Sequence, residues 1–190
     1  ELGFLGLARV DDDVGGFLNP AGTLETGEIV FGGAFDMRRV GELHNGMNRA
    51  HTYYRSCELD GSLATDFGDQ DGAEFFIKDL EGDGPEARPA LIPFGKIPMA
   101  AVSPHFFFFS DQDAYEIEVY EPSGALVRLV RKGWDPIPVT PEDGAGFVED
   151  LVGGVENPAQ QTAMRSFYGE LPLPPAFPPH GELRGDVLDH

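Results

Sequence analysis

The pattern of apolar and polar residues divides the chain near Trp134. Before this residue, short runs rich in Phe, Tyr, Val and Ile are bounded by Gly, Pro, Asp and Asn, a pattern typical of strands joined by tight turns. Residues 116–120 alternate strictly, which predicts a strand with one buried face and one exposed face. The full set of predicted strands is 5–10, 28–31, 51–57, 63–67, 75–80, 98–102, 105–110, 116–120 and 126–131.

Two hairpin-like segments repeat one pattern within this region. Residues 57–63 read CELDGSL and residues 120–126 read YEPSGAL. Each combines a strand end, an acidic residue, a turn with glycine in its last place and a new strand. Glycine suits such loops because it adopts positive φ without strain. The repeat predicts one antiparallel sheet over residues 98–131, with strands in chain order and a turn at 122–124.

After Trp134 the pattern becomes helical. Thr140, followed by Pro141 and two acidic residues, is a helix start, and Asn157 before Pro158 is another. We expect helices at 141–152 and 158–171, packed on the sheet through four apolar side chains: Phe147, Leu151, Phe167 and Leu171. A proline-rich stretch then leads towards a strand near 182–188. The pattern predicts a helical insertion between two sheets rather than a separate domain.

The stretch 111–131 (DQDAYEIEVYEPSGALVRLVR) resembles a blade of the NHL-like six-bladed β-propellers. The wider order over residues 20–190 is similar to a group of bacterial six-bladed propeller proteins. This resemblance implies an all-β fold, a partial six-bladed β-propeller of antiparallel blades with a two-helix insertion. A blade with a long excursion would occupy about 5–95, a second blade 96–133, the insertion 134–181 and the start of a third blade 182–190. Because a blade takes about 40–50 residues, the chain would be a fragment of the ring.

Charge and cysteine content narrow the classes of partner. The net charge is −20, which excludes a nucleic-acid partner because phosphates require Lys and Arg. The same charge disfavours an anionic membrane surface, and no apolar run is long enough to span a bilayer. Cys57 is the single cysteine, so neither an intrachain disulfide nor a cysteine zinc site is expected. The partner that the propeller resemblance implies is a protein or a glycan.

Acidic residues around a glycine make one candidate metal site. Asp66, Asp69, Asp71 and Glu74 are spaced so that carboxylate oxygens are available for Ca²⁺, although the spacing departs from an EF-hand. We favour a solvated hairpin turn and expect no cofactor and no calcium requirement. The segment 111–113 is expected to organise the turn before residues 116–120 through side-chain-to-backbone bonds.

A second candidate site is the segment 43–49, which lies in the long excursion of the first predicted blade. Four polar side chains there could hydrogen-bond a ligand: His44, Asn45, Asn48 and Arg49. Binding residues are often found on such loops, but an ordered turn is the competing and favoured interpretation. The histidines lack the spacing of a helical metal site, which leaves only a site assembled from several blades near a central channel.

Three functional hypotheses follow. The first is a non-catalytic binding or scaffold propeller that is secreted, periplasmic or on the cell surface. The alternative is a metal-dependent lactonase or hydrolase of the six-bladed propeller type, which needs a central divalent metal. The third is a sensor or structural domain of a larger chain. No catalytic residue is assigned, because the sequence has no nucleophile elbow, phosphate-binding loop or dinucleotide fingerprint. The apolar strand starts at Val102, Phe106 and Phe107 favour the first hypothesis.

Overall fold

The computed structural model describes residues 18–33, 41–82, 89–181 and 183. Within them, two antiparallel sheets precede two helices, so the expected β-rich class is confirmed. The strands are β1 (Leu18–Thr23), β2 (Ile29–Gly33), β3 (Gly46–Cys57), β4 (Leu63–Ile77), β5 (Ala90–Leu91), β6 (Met99–Val102), β7 (Phe107–Ser110), β8 (Glu116–Tyr120) and β9 (Leu126–Arg131). The helices are α1 (Pro141–Gly153) and α2 (Pro158–Gly169). The expected strand at 5–10, and all of 182–188 except Leu183, lie outside the described residues.

Both sheets are simple meanders. The first has the order β1-β2-β3-β4-β5 and the second the order β6-β7-β8-β9, with every neighbouring pair antiparallel. The prediction of one sheet with strands in chain order over residues 98–131 is therefore confirmed. The first sheet lies within residues 5–95 and the second within 96–133. The described strands do not form a closed six-bladed ring.

The hairpin repeat is also confirmed, and a third copy joins it. In the β3–β4 turn Glu58 N donates to Ser62 O at 2.9 Å, and in the β8–β9 turn Glu121 N donates to Ala125 O at 3.0 Å. The β1–β2 turn has the matching bond from Leu24 N to Glu28 O at 2.9 Å. Each turn places a glycine at φ between 83° and 92°, which is why glycine recurs there. Sequence analysis missed the third copy because the β1 segment LNPAGT does not resemble a strand.

The two sheets pack face to face through aromatic side chains. Phe107 of β7 is fully buried, with its ring centroid 4.6 Å from Phe67 of β4 and 5.0 Å from Tyr54 of β3. The same cluster includes four further buried residues: Leu24, Val30, Phe109 and Tyr120. Such ring separations are those of favourable aromatic pairs. The main core is thus shared between the sheets.

The first strands of the two sheets also meet. A Cβ added to Gly22 of β1 would lie 2.6 Å from the Cβ of Val102 in β6, so the side chain of Val102 occupies the space that glycine leaves. Beside this contact, Glu25 N donates to Pro104 O at 2.8 Å, and the Glu25 carboxylate lies 2.7 Å from His105 Nδ1. The sheets are therefore joined at one edge as well as through the core.

The sequence predicted a turn between residues 67 and 75 of the first sheet, and this prediction is wrong. Residues 63–67 and 75–80 were expected to be separate strands around a hairpin turn, yet Leu63–Ile77 is one continuous strand paired along β3. Register shifts absorb its irregular residues, and Gly68 adopts φ of 93°. The segment 43–49 is likewise not one long loop, because β3 begins at Gly46. Pairing along β3 overrides the turn-like local sequence.

Both helices form at the expected places. Thr140 Oγ1 accepts from Asp143 N at 3.2 Å while Asp143 Oδ2 accepts from Thr140 N at 2.8 Å, a capping box. Asn157 Oδ1 caps α2 by accepting from Ala159 N at 2.9 Å. The segments flanking the helices pair with each other, because Phe177 N donates to Ile137 O at 2.9 Å. The helices therefore form a closed excursion from the sheets.

The expected packing of the helices on the sheet needs correction. Phe147 packs at 5.5 Å against Phe94, which lies in the segment between β5 and β6 and not in a strand, and the buried Leu171 follows the end of α2. Leu151, however, is 36% exposed, whereas Val152 is fully buried on α1. The buried face of α1 is thus rotated relative to the expected stripe. Within the described residues, no helix is both long enough and apolar enough to cross a membrane.

Candidate functional site

The loop between β7 and β8, Asp111-Gln112-Asp113, is the centre of a polar cluster that joins the two sheets. Asp113 N donates to Asp111 Oδ1 at 2.8 Å, so the loop is organised by a side-chain-to-backbone bond as the sequence predicted. Gln112 has φ of 66°, a left-handed conformation that is uncommon for a residue with a Cβ. Surrounding bonds must therefore hold the loop in this shape.

Gln112 connects the loop to two distant segments. Its side chain is buried, with Oε1 accepting from Ile97 N at 2.9 Å and Nε2 donating to His180 O at 2.7 Å. Both ends of the amide are thus satisfied, as a buried amide requires. The segment before β6 and the segment that returns from the helices are consequently fixed on either side of this loop.

Arg49 of β3 binds the same loop from the first sheet. Its guanidinium donates to Asp113 Oδ1 at 2.7 Å, to Asp111 O at 2.7 Å and to Gly72 O at 3.2 Å. A rigid five-donor group suits this arrangement, because it serves three acceptors in one plane. Arg49 therefore links β3, β4 and the β7–β8 loop.

Lys96 is the second cation of the cluster. Its ammonium group donates to Asp113 at 2.5 Å and lies 3.9 Å from Glu74, whose carboxylate accepts from Lys96 N at 2.9 Å. Burial by itself would raise the pKa of Asp113, but the hydrogen bonds from Lys96 and Arg49 outweigh it and hold that pKa below its usual value. Asp113 is therefore ionised at neutral pH and shared by two cations.

Three carboxylates in this cluster lie close enough to be considered as metal ligands. Oxygens of Asp71, Asp111 and Asp113 all lie within 4.8 Å of one another. However, Arg49 Nη1 lies 3.7 Å from Asp71 Oδ2 and bonds to the Asp113 oxygen that Lys96 also contacts. A divalent ion would have to displace or tolerate two positive charges at that position. The geometry thus fits an ionic link between the sheets better than a metal centre.

The four predicted metal residues do not converge. They are spread along β4, where Asp66 pairs with Arg55 and Glu74 pairs with Arg49 in the strand register. At about 3.3 Å per residue, Asp66 and Glu74 are roughly 25 Å apart along the strand, so one ion cannot bind both. Asp66 instead accepts from Arg55 Nε at 3.0 Å, and Asp69 is exposed.

The four predicted ligand residues are divided between a turn and a strand. Asn48 is buried in β3 and bonds to both the N and the O of His44, at 3.1 Å and 2.7 Å. Asn45 Oδ1 accepts from Leu80 N at 2.7 Å, and Arg49 belongs to the ionic cluster. His44 and Asn45 are both exposed, whereas Arg49 is half-buried. The ordered-turn interpretation accounts for these contacts, whereas ligand binding stays a prediction.

A serine and a histidine lie next to the same loop. Ser110 Oγ is 2.8 Å from His180 Nε2, while no partner of the buried His180 Nδ1 is found within the described residues. Burial lowers the pKa of His180, and the nearby charge of Asp111 opposes this only in part. Ser110 is itself only 2% exposed, so a substrate cannot reach its hydroxyl. The pair therefore holds the returning segment in place rather than forming a nucleophilic dyad.

Sequence reasoning missed Lys96, Gln112 and His180 as members of this cluster. Their partners lie between 15 and 68 residues away along the chain, so no local pattern connects them. The one available signal was the segment 111–113, which was interpreted as a turn only. Comparisons with protein-family models, curated proteins and solved structures found no match for this chain.

Two apolar clefts flank α2, away from the ionic cluster. One, of about 590 Å³, lies between α2 and the end of β4, and its lining includes Phe76, Met164 and Phe167. The other, also about 590 Å³, lies between α1, α2 and the segment around Leu91 and Ile97, which are 54% and 47% exposed. The first cleft is lined by one ion pair, Lys78 with Glu170 at 2.9 Å, whereas the described lining of the second contains no charged side chain.

Proposed function

We propose that the chain is part of a non-catalytic β-propeller that binds a protein or a glycan outside the cytoplasm. The propeller proposal is supported by two sequential antiparallel meanders that pack face to face, with β1 beside β6. Adjacent blades of a propeller have the same relation. The recurring hairpin and the resemblance of residues 111–131 to a blade add support. The extracytoplasmic placement is inferred from that resemblance.

The proposal that the chain is non-catalytic rests on the polar cluster, whose charged and polar groups already bond to one another. Arg49 and Lys96 both contact Asp113, Gln112 uses both ends of its amide, and Ser110 is buried. Catalytic groups need access to a substrate and a pKa matched to proton transfer. These groups are instead directed at one another, which suits a rigid scaffold.

Binding is supported by apolar side chains left on the surface. Leu91, Ile97 and Leu151 are exposed around one cleft, and β9 exposes four apolar side chains at the outer edge of the second sheet. Exposed apolar patches of this kind mark interaction surfaces on proteins that otherwise carry many charges. We therefore expect ligand contact at these surfaces rather than at the ionic cluster.

Two measurements test the proposal. The immobilised full chain is probed with a peptide-display library and a glycan array, and at least one class of ligand should bind reproducibly. In parallel, a panel of lactones is incubated with the chain and added Ca²⁺, Mn²⁺ or Zn²⁺, and no turnover above background is expected. Metal-dependent turnover that disappears in the double variant Asp71→Asn, Asp113→Asn would favour the hydrolase alternative instead.

A further inference from the structure

We propose that the outer edge of β9 binds an extended, acidic segment of a partner protein as an added strand. The proposal rests on the binding role proposed above and specifies where the partner binds and what chemistry it has. The strand is the last in the order β6-β7-β8-β9, and among the described residues no other strand pairs with its outer edge.

The edge is exposed and unusually apolar. All six residues of β9 are exposed, and four of them are apolar: Leu126 (48%), Val127 (46%), Leu129 (39%) and Val130 (42%). Natural sheets normally protect a free edge by shortening it, covering it or placing charges on it, because unpaired backbone groups pair readily with another strand. Here the strand is as long as its neighbours and carries apolar side chains on both faces.

The backbone groups available to a partner follow from the register. Lys132 N donates to Tyr115 O at 3.0 Å, and the β8–β9 register runs without a shift from Glu116↔Arg131 to Val119↔Arg128. Hydrogen-bonded pairs alternate in an antiparallel ladder, so the amides of Val130 and Arg128 point towards β8 as that of Lys132 does. The amides of Leu129 and Arg131 therefore point outward, where a partner strand can accept from them.

The charge of this edge is opposite to that of the whole chain. Residues 126–132 contain three cationic residues and no acidic one, whereas the chain has 33 Asp and Glu against 13 Lys and Arg. Arg131 bonds to Glu116, and Lys132 lies over the ring of Tyr115. Within the described residues Arg128 has no ionic partner. A second β9 strand would bring like charges together, so the complementary occupant is acidic rather than another copy of this edge.

The register also sets the sequence pattern of the occupant. Arg128 and Arg131 are separated by Leu129 and Val130, so a paired strand places acids opposite the two arginines and apolar residues opposite the two between. The pattern is acid, apolar, apolar, acid, and it is the same in either strand direction. Side chains opposite Val130 would extend the apolar row formed by Ile117 and Val130, which are neighbours across β8 and β9.

The test is fluorescence anisotropy with a labelled peptide that contains two copies of this pattern, built from Glu and Val, titrated with the full chain. Binding that weakens as salt is added is expected, because opposite charges meet at an exposed edge. Leu129→Pro removes an outward donor without removing a bond to β8, and it should abolish binding. Leu129→Ala keeps the donor and is the matched control, which should bind within a few fold of wild type.

A charge exchange keeps the test independent of any folding defect caused by proline. Arg128→Glu should lower the affinity for the acidic peptide about tenfold or more. It should raise the affinity for a peptide with Lys in place of the matching Glu. Absence of binding to wild type, or equal binding by Leu129→Pro and Leu129→Ala, would overturn the proposal. Light scattering that shows a dimer dissociated by Leu129→Pro would assign the edge to a second copy instead, and would overturn it too.

The experiments distinguish a wrong assignment of the β9 edge from a wrong proposed function. If library or array ligands bind the chain but bind Leu129→Pro equally well, the binding role stands and the β9 assignment is wrong. If no ligand of any class binds and a lactone is turned over, the binding role itself is wrong.

Discussion

Phe107 offers the sharpest test of how the two sheets are joined. It is fully buried in β7, and its ring lies 4.6 Å from Phe67, 5.0 Å from Tyr54 and 5.8 Å from Tyr120. Two of these rings belong to the opposite sheet. Truncation to alanine therefore removes buried apolar area and leaves a cavity at the centre of the shared core.

The expected cost of Phe107→Ala is about 3–5 kcal/mol in the free energy of unfolding, the usual range for a buried phenylalanine. Phe108 is the matched control, because it is the next residue of β7 and points to the other face, where it is only partly buried. Phe108→Ala should cost about 1–2 kcal/mol, since less apolar area is lost. The difference between the two variants measures the packing of sheet on sheet.

Urea unfolding followed by far-ultraviolet circular dichroism is the assay. Because a loss of several kcal/mol can unfold a marginally stable domain, Phe107→Leu is made as well and should cost about 1.5 kcal/mol. A double-mutant cycle with Phe67→Leu should show a coupling of about 0.5–1.5 kcal/mol between the sheets. Equal costs for Phe107→Ala and Phe108→Ala, or no coupling to Phe67, would refute face-to-face packing.

Four further predictions address the polar cluster, the turns and the charge. Millimolar calcium should not raise the melting temperature relative to a chelator, and a rise lost in Asp71→Asn, Asp113→Asn would contradict this. Because burial lowers the pKa of His180, its contribution to stability is present above about pH 6.5 and is lost as the pH falls. Urea unfolding from about pH 7 to about pH 5 should therefore show a steeper loss in wild type than in His180→Phe, and equal slopes would argue against it. Gly27→Ala should cost about 1 kcal/mol through its φ of 92°, against little for Gly133→Ala; neither added Cβ meets an atom within 4 Å, so similar costs would reject the turn argument. Oligonucleotides should not bind at micromolar concentration because the net charge is −20, and anisotropy that rises and is reversed by salt would disprove this.

The local features of the fold were predictable from sequence because they depend on neighbours along the chain. Strand β8 alternates polar and apolar residues with a period of two, and the β8–β9 turn carries glycine where positive φ is required. Thr140 and Asn157 mark helix starts because their side chains accept from amides only two or three residues ahead. Each of these interactions joins residues that are only a few positions apart in the sequence.

The features that sequence reasoning missed depend on contacts between distant segments. Residues 66–74 contain aspartates and glycines typical of a turn, yet pairing along β3 holds them in one strand. The face of α1 that is buried, with Val152 inside and Leu151 outside, was set by what the helix packs against.

The candidate site also combines bonds between near neighbours in the chain with bonds between distant segments. The segment 111–113 was recognised as a turn because the bond from Asp113 N to Asp111 is local. The bonds from Arg49, 64 residues earlier, and to His180, 68 residues later, exist only once the sheets have packed and the helical excursion has closed. The sequence by itself therefore determined the strands of the second sheet, the two matched hairpin turns and the helix caps of this protein. Only tertiary packing decided which charged groups met, because a charge finds its partner through space and not along the chain.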